Sequence, residues 1–381
     1  MNRVDVAPEM LRWAAERAGF GIQALSRRFP NLPDWERGEA KPTLRQLESF
    51  AKATRTPVGY LFLQEPPDER VPIPDFRTLA TARRERPSPD LLDTIYLCQQ
   101  RQEWFREFAR TEGRAPLPFV GSAKLENGIE ETAARMRAAL RFDLDERRQM
   151  PTWTEALRRF IGQADELGVL VMVSGVVGSN NSRKLDPQEF RGFALSDSVA
   201  PLIFINGADT KAAQMFTLAH ELAHVWLGQS AVSDAQASLL PENQVERWCN
   251  QVAAELLVPL SSVRAEYSRH ADLRVETDRL ARRFKVSTLV ILRRMYDAGG
   301  LSREAFWETY NAELQKLHAL PKSSGGDFYL TLGARVSKRF ARALVTSAVE
   351  GQSSFTEALR LLGFKKMTTF RELAQSLGVA F

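Results

Sequence analysis

Hydrophobic residues recur at helical spacing along most of the chain, and one central region departs from this rhythm. Leu11, Ala14 and Ala18, which follow Pro8, lie on one face of a predicted first helix. Between residues 168 and 205 the apolar residues instead form short β-branched or alternating runs, separated by turn residues. The pattern therefore predicts an α+β protein that is mostly helical and has a small sheet.

Three short strands are predicted, at 168–173, 191–195 and 201–205. A helix follows them, with Thr210 or Asp209 as its candidate N-cap and Gly228 as its stop. Further helices are predicted in most of the remaining chain: three or four short ones within 8–63, and others near 88–108, 129–141, 153–167, 242–257, 276–284, 287–296, 302–317, 328–348, 354–362 and 369–377. Capping boxes at Thr43, Ser354 and Thr369 mark three of the helix starts.

The distribution of proline divides the chain. Residues 64–90 hold six of the 19 prolines, a density that blocks helix formation and predicts an extended linker. Ile73, Phe76 and Leu79 give this linker apolar side chains that can lie against a neighbouring domain. A second linker is predicted at 320–327. We therefore expect four segments: a helical domain at 1–63, the linker at 64–90, a domain with the sheet at 91–318 and a helical region at 319–381.

The overall composition narrows the class of protein. Apolar residues make up 44% and charged residues 26%, as in globular proteins, which excludes a disordered or collagen-like chain. The most apolar stretch, 167–178, is shorter than the about 20 residues of a membrane helix, and residues 1–10 resemble no secretory signal. We expect a cytoplasmic protein without a membrane segment. Its two cysteines, Cys98 and Cys249, are too few for a cysteine-rich zinc site, so a metal would need histidine and carboxylate ligands.

The net charge of the chain is carried by its last 61 residues. From residue 321 onward, nine Lys or Arg outnumber four Asp or Glu, and this excess of five equals the net charge of the whole chain. Such a basic region is typical of a surface for nucleic acid or an acidic partner, although ordinary solvated helix faces explain it equally well. The candidate contact residues are Arg335, Lys338, Arg339, Arg342, Lys365 and Lys366.

The motif His220-Glu221-Leu-Ala-His224 is the strongest chemical signal in the sequence. Residues i and i+4 share one face of a helix, so both imidazoles can reach one metal ion. Two of the four histidines of the chain fall in this one motif. The spacing predicts a zinc site on the helix that follows the strands, and a pair of core histidines is the weaker explanation.

A catalytic zinc site usually needs a third protein ligand. Glu242, Glu246 and Glu255 are candidates on the next predicted helix. We favour Glu246, because Asn250 lies on the same face, whereas Glu255 follows nine residues later and half a turn away. Asn250 can hydrogen-bond a ligand imidazole and fix its tautomer, or serve as an ordinary helix amide.

Amide hydrolysis is the reaction that this set of residues predicts. Two neutral imidazoles and one carboxylate leave a zinc site with a net positive charge, which lowers the pKa of water towards about 7. Glu221 would act as the general base and pass the proton to the leaving amine. The strand at 201–205 can pair with an extended substrate, which places Asn206 near the cleft. Tyr267 and His270 are candidate donors to the transition state.

These motifs resemble the ImmA/IrrE family of zinc metallopeptidases. The similarity covers about residues 160–310, and it is carried by segments 189–194, 216–224, 246–259 and 280–287. It implies a zincin-like core in which His220, His224 and Glu246 bind Zn²⁺ and Glu221 is the base. It also implies a protein substrate, such as a repressor or antitoxin, and control of stress, mobile-element or toxin-antitoxin genes.

The N-terminal segment resembles an Xre-type helix-turn-helix. The similarity is carried by 11–19, 35–43 and 46–51. Leu25 and Glu36 are only eleven positions apart, with Pro30 and Pro33 between them, which leaves less room than the pattern needs for a full recognition helix. A role in dimerisation or substrate docking is therefore as well supported as direct reading of DNA bases.

Two functions remain open from the sequence. The first is a zinc-dependent regulatory peptidase that acts on a protein partner. The second is a DNA-binding transcriptional regulator or an antitoxin, bound to DNA or to a cognate toxin, whose zinc site is structural or vestigial. Glu221 favours the first, since a structural site does not need a base. Either protein can form oligomers.

Overall fold

The computed structural model describes residues 3–77, 87–233, 243–319 and 335–380. The chain forms two compact units, Met1–Pro72 with Arg83–Ile95, and Ile73–Ala82 with Tyr96–Phe381. The predicted fold class, α+β and mostly helical with a small sheet, is confirmed. Among the described helices, none combines the length and the apolar composition that a bilayer span requires.

The first unit is built from short helices around an apolar core. They are α1 (Pro8–Arg17), α2 (Ile22–Ser26), α3 (Leu32–Glu36), α4 (Leu44–Ala53) and a 3₁₀ turn (Val58–Phe62). The capping box at Thr43 and Gln46 forms as the sequence predicts. Met10, Leu11 and Phe50 are fully buried in the core. The α2 and α3 helices have only five residues each.

The second unit contains the sheet, whose strands are β1 (Leu170–Ser174), β2 (Gly192–Leu195), β3 (Leu202–Asn206) and β4 (Ala231–Ser233). Their order is β1-β3-β2-β4, with β1 parallel to β3 and the other two pairs antiparallel. The first three strands match the prediction. The β4 strand was not predicted, because three residues are too few to show an alternating pattern.

Helices make up most of the rest of this unit. They are α5 (Pro89–Thr111), whose first residues belong to the other unit, α6 (Ile129–Leu140), α7 (Leu144–Gln149), α8 (Trp153–Leu167), α9 (Lys211–Leu227), α10 (Gln244–Leu257), α11 (Leu260–Glu266), α12 (Leu273–Phe284), α13 (Thr288–Asp297) and α14 (Arg303–Ala319). The α9 helix packs on β2 and β3, and α8 and α10 flank it. The main core of the unit therefore lies around α9.

The basic C-terminal region is helical and docks onto the second unit. It contains α15 (Lys338–Val349), α16 (Phe355–Leu362) and α17 (Met367–Ser376). The buried guanidinium of Arg101 donates from Nε to the carbonyl oxygen of Leu361 at 2.9 Å. Trp104 donates from its indole nitrogen to Ser353 Oγ at 3.2 Å. These contacts make the region an integral part of the unit.

Two details of this region differ from the prediction. The helix predicted over 328–348 is described only from Lys338, where Ser337 caps it, while 328–334 and the linker predicted at 320–327 lie outside the described residues. The capping box predicted at Thr369 is wrong, because α17 begins two residues earlier, after Lys366 in an extended conformation. Thr369 therefore lies inside the helix.

Candidate metal centre

The α9 helix presents His220, Glu221 and His224 inside the protein, where all three side chains are fully buried. The hydroxyl of Thr210 accepts a hydrogen bond from the amide of Ala213 and caps the helix, as predicted. Gly228 ends it with a φ of +72°, a conformation that glycine adopts without strain. The start, the end and the register of the helix are thus set by local sequence.

The α10 helix supplies the third side chain. The Nε2 atom of His220 lies 3.2 Å from one carboxylate oxygen of Glu246, and the Nε2 atom of His224 lies 2.9 Å from the other. One nitrogen of each histidine and one oxygen of Glu246 all lie within 4.8 Å of one another. Asn243, the N-cap of α10, accepts from the amide of Glu246 and fixes the start of this helix. Two imidazoles and one carboxylate around one point are the donor set of a catalytic zinc site.

Asn250 stands behind the first histidine. Its Oδ1 atom lies 2.9 Å from Nδ1 of His220, on the side of the ring opposite to Glu246. An amide oxygen can only accept, so the proton of the neutral imidazole belongs on Nδ1. This leaves the Nε2 lone pair available to a metal ion. Of the two roles that the sequence left open for Asn250, the contact with a ligand imidazole is the one present in the structure.

Glu221 has one anchored carboxylate oxygen and one without a partner. The hydroxyl of Ser233, at the end of β4, donates to Oε1 of Glu221. The other oxygen, Oε2, has no hydrogen-bond partner within the described part of the chain. A buried oxygen of this kind is expected to have a partner, such as water, in the functional state. Burial raises the pKa of Glu221 to about 8, while His220 and Ser233 oppose the rise.

Burial and mutual attraction set the charges of the ligand residues. Burial lowers the pKa of His220, but the Glu246 carboxylate outweighs it and raises the pKa to about 8. Burial raises the pKa of Glu246, but the two histidines together lower it to about 2. Burial lowers the pKa of His224. Without a cation the three side chains therefore share a proton, and a divalent cation would replace it.

The close packing around Glu221 depends on a glycine in β2. A Cβ atom on Gly192 would lie 2.6 Å from Cγ2 of Thr217, 2.9 Å from the carbonyl oxygen of Phe204 and 3.2 Å from Oε1 of Glu221. Only glycine lets the strand approach the helix this closely. The sequence analysis did not identify Gly192 or Ser233 as parts of the site.

The structure corrects the prediction for Asn206. Asn206 is fully buried, with Nδ2 donating to the carbonyl oxygen of Phe190 and Oδ1 accepting from the amide of Ala208. Its strand, β3, is paired on both sides, by β1 and by β2, and has no edge for a peptide. Asn206 therefore shapes the turn that leads to α9 and does not contact a substrate.

The other candidates lie elsewhere. Glu255 is paired with Arg294, and Glu242 lies outside the described residues. The hydroxyl of Tyr267 donates to the carbonyl oxygen of Gly300, and His270 is exposed, so their positions do not support a role in catalysis. Of the basic C-terminal residues, Lys338, Arg342, Lys365 and Lys366 are exposed, whereas Arg335 and Arg339 are half-buried.

Comparison with known families agrees with the geometry. Residues 164–296 match the family model of the IrrE N-terminal-like domain, Peptidase_M78, so the resemblance to the ImmA/IrrE family is confirmed for this segment. The matched residues include the whole candidate metal centre. A second family model, a domain of unknown function (DUF8813), matches residues 336–376, which form α15 to α17. No curated protein and no solved structure matches the chain.

Proposed function

We propose that the chain is a zinc-dependent regulatory metallopeptidase, because residues 164–296 match the model of the IrrE N-terminal-like domain. It would hydrolyse a peptide bond in a protein partner, such as a repressor or an antitoxin, and so control stress, mobile-element or toxin-antitoxin genes. One observation carries the proposal. The donor atoms of His220, His224 and Glu246 converge on one buried point. Beside it lies the carboxylate of Glu221, whose Oε2 has no hydrogen-bond partner among the described residues.

The residues of the site suit Zn²⁺ and peptide hydrolysis. His220, His224 and Glu246 would hold the ion, which supplies Lewis-acid chemistry and lowers the pKa of water to about 7. Glu221 would take a proton from water at Oε2 and return it to the leaving amine. Ser233 holds Oε1 of Glu221 and so keeps Oε2 directed for this transfer.

Metal content tests the first part of the proposal. The protein, purified without chelator, is expected to contain about one zinc per chain by mass spectrometry. Glu246→Ala should lose most of it, whereas Glu308→Ala, an exposed carboxylate on α14, should retain it. A folded wild-type protein without metal would refute the proposed function.

Proteolysis tests the second part. Cells that express the wild type or Glu221→Gln are compared by sequencing of protein N-termini. The variant should retain zinc and lose cleavage, since its amide cannot accept the proton. New N-termini in wild-type cells alone would identify the partner. Identical sets of N-termini in the two strains would favour a structural or vestigial metal site.

A second function, DNA binding or toxin binding, rests on the C-terminal region. The α2 and α3 helices are short, which disfavours base recognition by the N-terminal unit. Of the six candidate basic residues in the C-terminal region, four are exposed: Lys338 and Arg342 on α15, and Lys365 and Lys366 just before α17. We propose these four as the contact surface for nucleic acid or an acidic partner.

Charge neutralisation tests this surface without removing the docked helices. If the four residues contact phosphates, replacing them by Gln should reduce the slope of log K against log salt by about 0.9 per lost contact. Replacing the exposed Arg148 and Arg158 by Gln is the control and should leave the slope unchanged. Equal slopes in all three proteins would exclude the C-terminal surface as a DNA-binding site.

A further inference from the structure

An extended segment of the proline-rich region lies along the outer edge of β4. We refer to residues 73–77 as the edge segment. The amide of Val232 donates to the carbonyl oxygen of Pro74 at 2.9 Å, and the amide of Phe76 donates to the carbonyl oxygen of Val232 at 3.0 Å. Asp75 faces Val232 in a parallel bridge. The edge segment thus pairs with β4 through one isolated parallel bridge.

This edge is adjacent to the metal centre. The ring of Phe76 stacks on the ring of His224, with centroids 6.2 Å apart and planes inclined by 25°. Val232, which the edge segment covers, is fully buried. The next residue, Ser233, donates to Glu221. One three-residue strand therefore contacts both the proposed general base and the edge segment.

Two prolines limit the backbone pairing of the edge segment. Pro72 and Pro74 have no N–H group, so they cannot donate to the backbone of β4 at the N-terminal end of the segment. Arg77 pairs with Asp75 beside it and lies 3.8 Å from Glu189, in the loop before β2. A competing peptide would have to replace at least the two backbone hydrogen bonds at Val232 and the ring contact with His224.

We infer, on the premise of the peptidase proposed above, that the edge segment occupies the binding place of the substrate and keeps the centre closed. Backbone N–H and C=O groups on a strand edge bind extended peptides, and those of Val232 are the groups that the edge segment uses. The substrate is therefore an extended peptide that pairs with Val232. It places an aromatic or large apolar side chain where Phe76 contacts His224.

The tether explains why a generic peptide would not open the site. A segment linked to its own binding place competes at an effective concentration on the order of millimolar. An untethered peptide displaces the segment only at a concentration above this value. A folded partner that binds elsewhere on the chain also holds its own peptide at a high effective concentration near the site. The chain is thus selective for proteins that dock on it, and it does not cleave unbound peptides.

A peptide-binding experiment tests the inference without catalysis. The probe is a fluorescein-labelled peptide of residues 70–77, and its anisotropy is measured with zinc-supplemented full-length protein that carries Glu221→Gln. Adding Phe76→Ala to the protein should lower the Kd of the probe at least tenfold, because the internal competitor has lost its ring contact. Arg77→Ala should act in the same direction. Phe355→Ala, an exposed aromatic residue on α16, is the matched control and should leave the Kd unchanged.

The outcomes separate the explanations. A probe peptide with Phe replaced by Ala should bind the opened protein at least tenfold more weakly. Equal probe binding by all proteins would overturn the inference. So would loss of folding in both Phe76→Ala and Arg77→Ala, measured by circular dichroism. Either result would mean that the edge segment is a fixed part of the fold. Failure of the proposed function is detected separately, as a protein that binds no zinc. Peptide binding at the edge is measured whether or not that occurs.

Discussion

Arg294 and Glu255 form an ion pair inside the protein, each with a side chain that is only 7% exposed. Arg294 also donates from Nε to the carbonyl oxygen of Val258 at 2.9 Å, and Glu255 accepts from the amide of Leu260. The pair joins α13 to the end of α10 and the start of α11. Glu255 therefore stabilises the packing of these helices, whereas Glu246, on the same helix, is part of the metal centre.

Replacing Glu255 should therefore lower the stability of the protein and leave its zinc content unchanged. Glu255→Gln leaves the buried charge of Arg294 with Asp297, 3.5 Å away, as its remaining ion-pair partner among the described residues. We expect the free energy of unfolding to fall by about 3 kcal/mol in urea titrations, the lower end of the range for breaking a buried ion pair. The double variant Glu255→Gln with Arg294→Met should recover part of this loss. Zinc per folded chain should stay at the wild-type level. A loss of zinc without a loss of stability would make Glu255 a ligand.

Asn250 should affect metal affinity through its hydrogen bond to the imidazole of His220. Asn250→Leu removes the acceptor for Nδ1–H of His220, and we expect a 10- to 100-fold loss of zinc affinity, about the usual effect of such partners. Competition with a chromophoric chelator measures it. Asn250→Asp keeps an acceptor and should retain most of the affinity. Equal affinity in the Leu variant would assign Asn250 to helix packing alone.

Much of this centre could be predicted from sequence because it depends on helical periodicity. The spacing of His220 and His224 places them on one face, and the same rule separates Glu246 from Glu255. Ser233 and Phe76 carry no such signal. Both reach the centre only through strand pairing, Ser233 on a strand too short for a pattern and Phe76 from a distant part of the chain. Asn206 shows the same limit, because the order of strands in a sheet is not encoded locally.

The C-terminal region shows the same division between local and long-range information. Its helices, and the cap at Ser354, follow from local sequence. The docking of the region depends on Arg101, whose partner Leu361 lies 260 positions away. The excess of positive charge in the sequence indicated a surface for nucleic acid or an acidic partner. It could not show which of the basic side chains are half-buried by this docking.

The close approach of β2 to α9 should make Gly192 intolerant of a side chain. In Gly192→Ala the new Cβ meets Thr217 and the backbone of Phe204, so we expect the free energy of unfolding to fall by about 1–3 kcal/mol. Gly162→Ala is the matched control, since Gly162 lies within α8 and has nothing within 4 Å of its virtual Cβ. It should raise the free energy by about 0.5–1 kcal/mol. Equal effects in urea titrations would refute the close packing.

The stability of the metal-free protein should fall as the pH rises, and Glu221 should cause part of this fall. Burial raises the pKa of Glu221 from its ordinary 4.5 to about 8, so between these pH values the folded protein keeps a proton that the unfolded chain has released. Unfolding then releases a proton, and the free energy of unfolding decreases with rising pH. His220, whose pKa is raised to about 8, acts in the same direction only above about pH 6.5. Urea titrations of chelator-treated Glu221→Gln should therefore show a smaller decrease than wild type between pH 4.5 and 6.5. Identical slopes in that interval would mean that Glu221 is ionised in the folded protein.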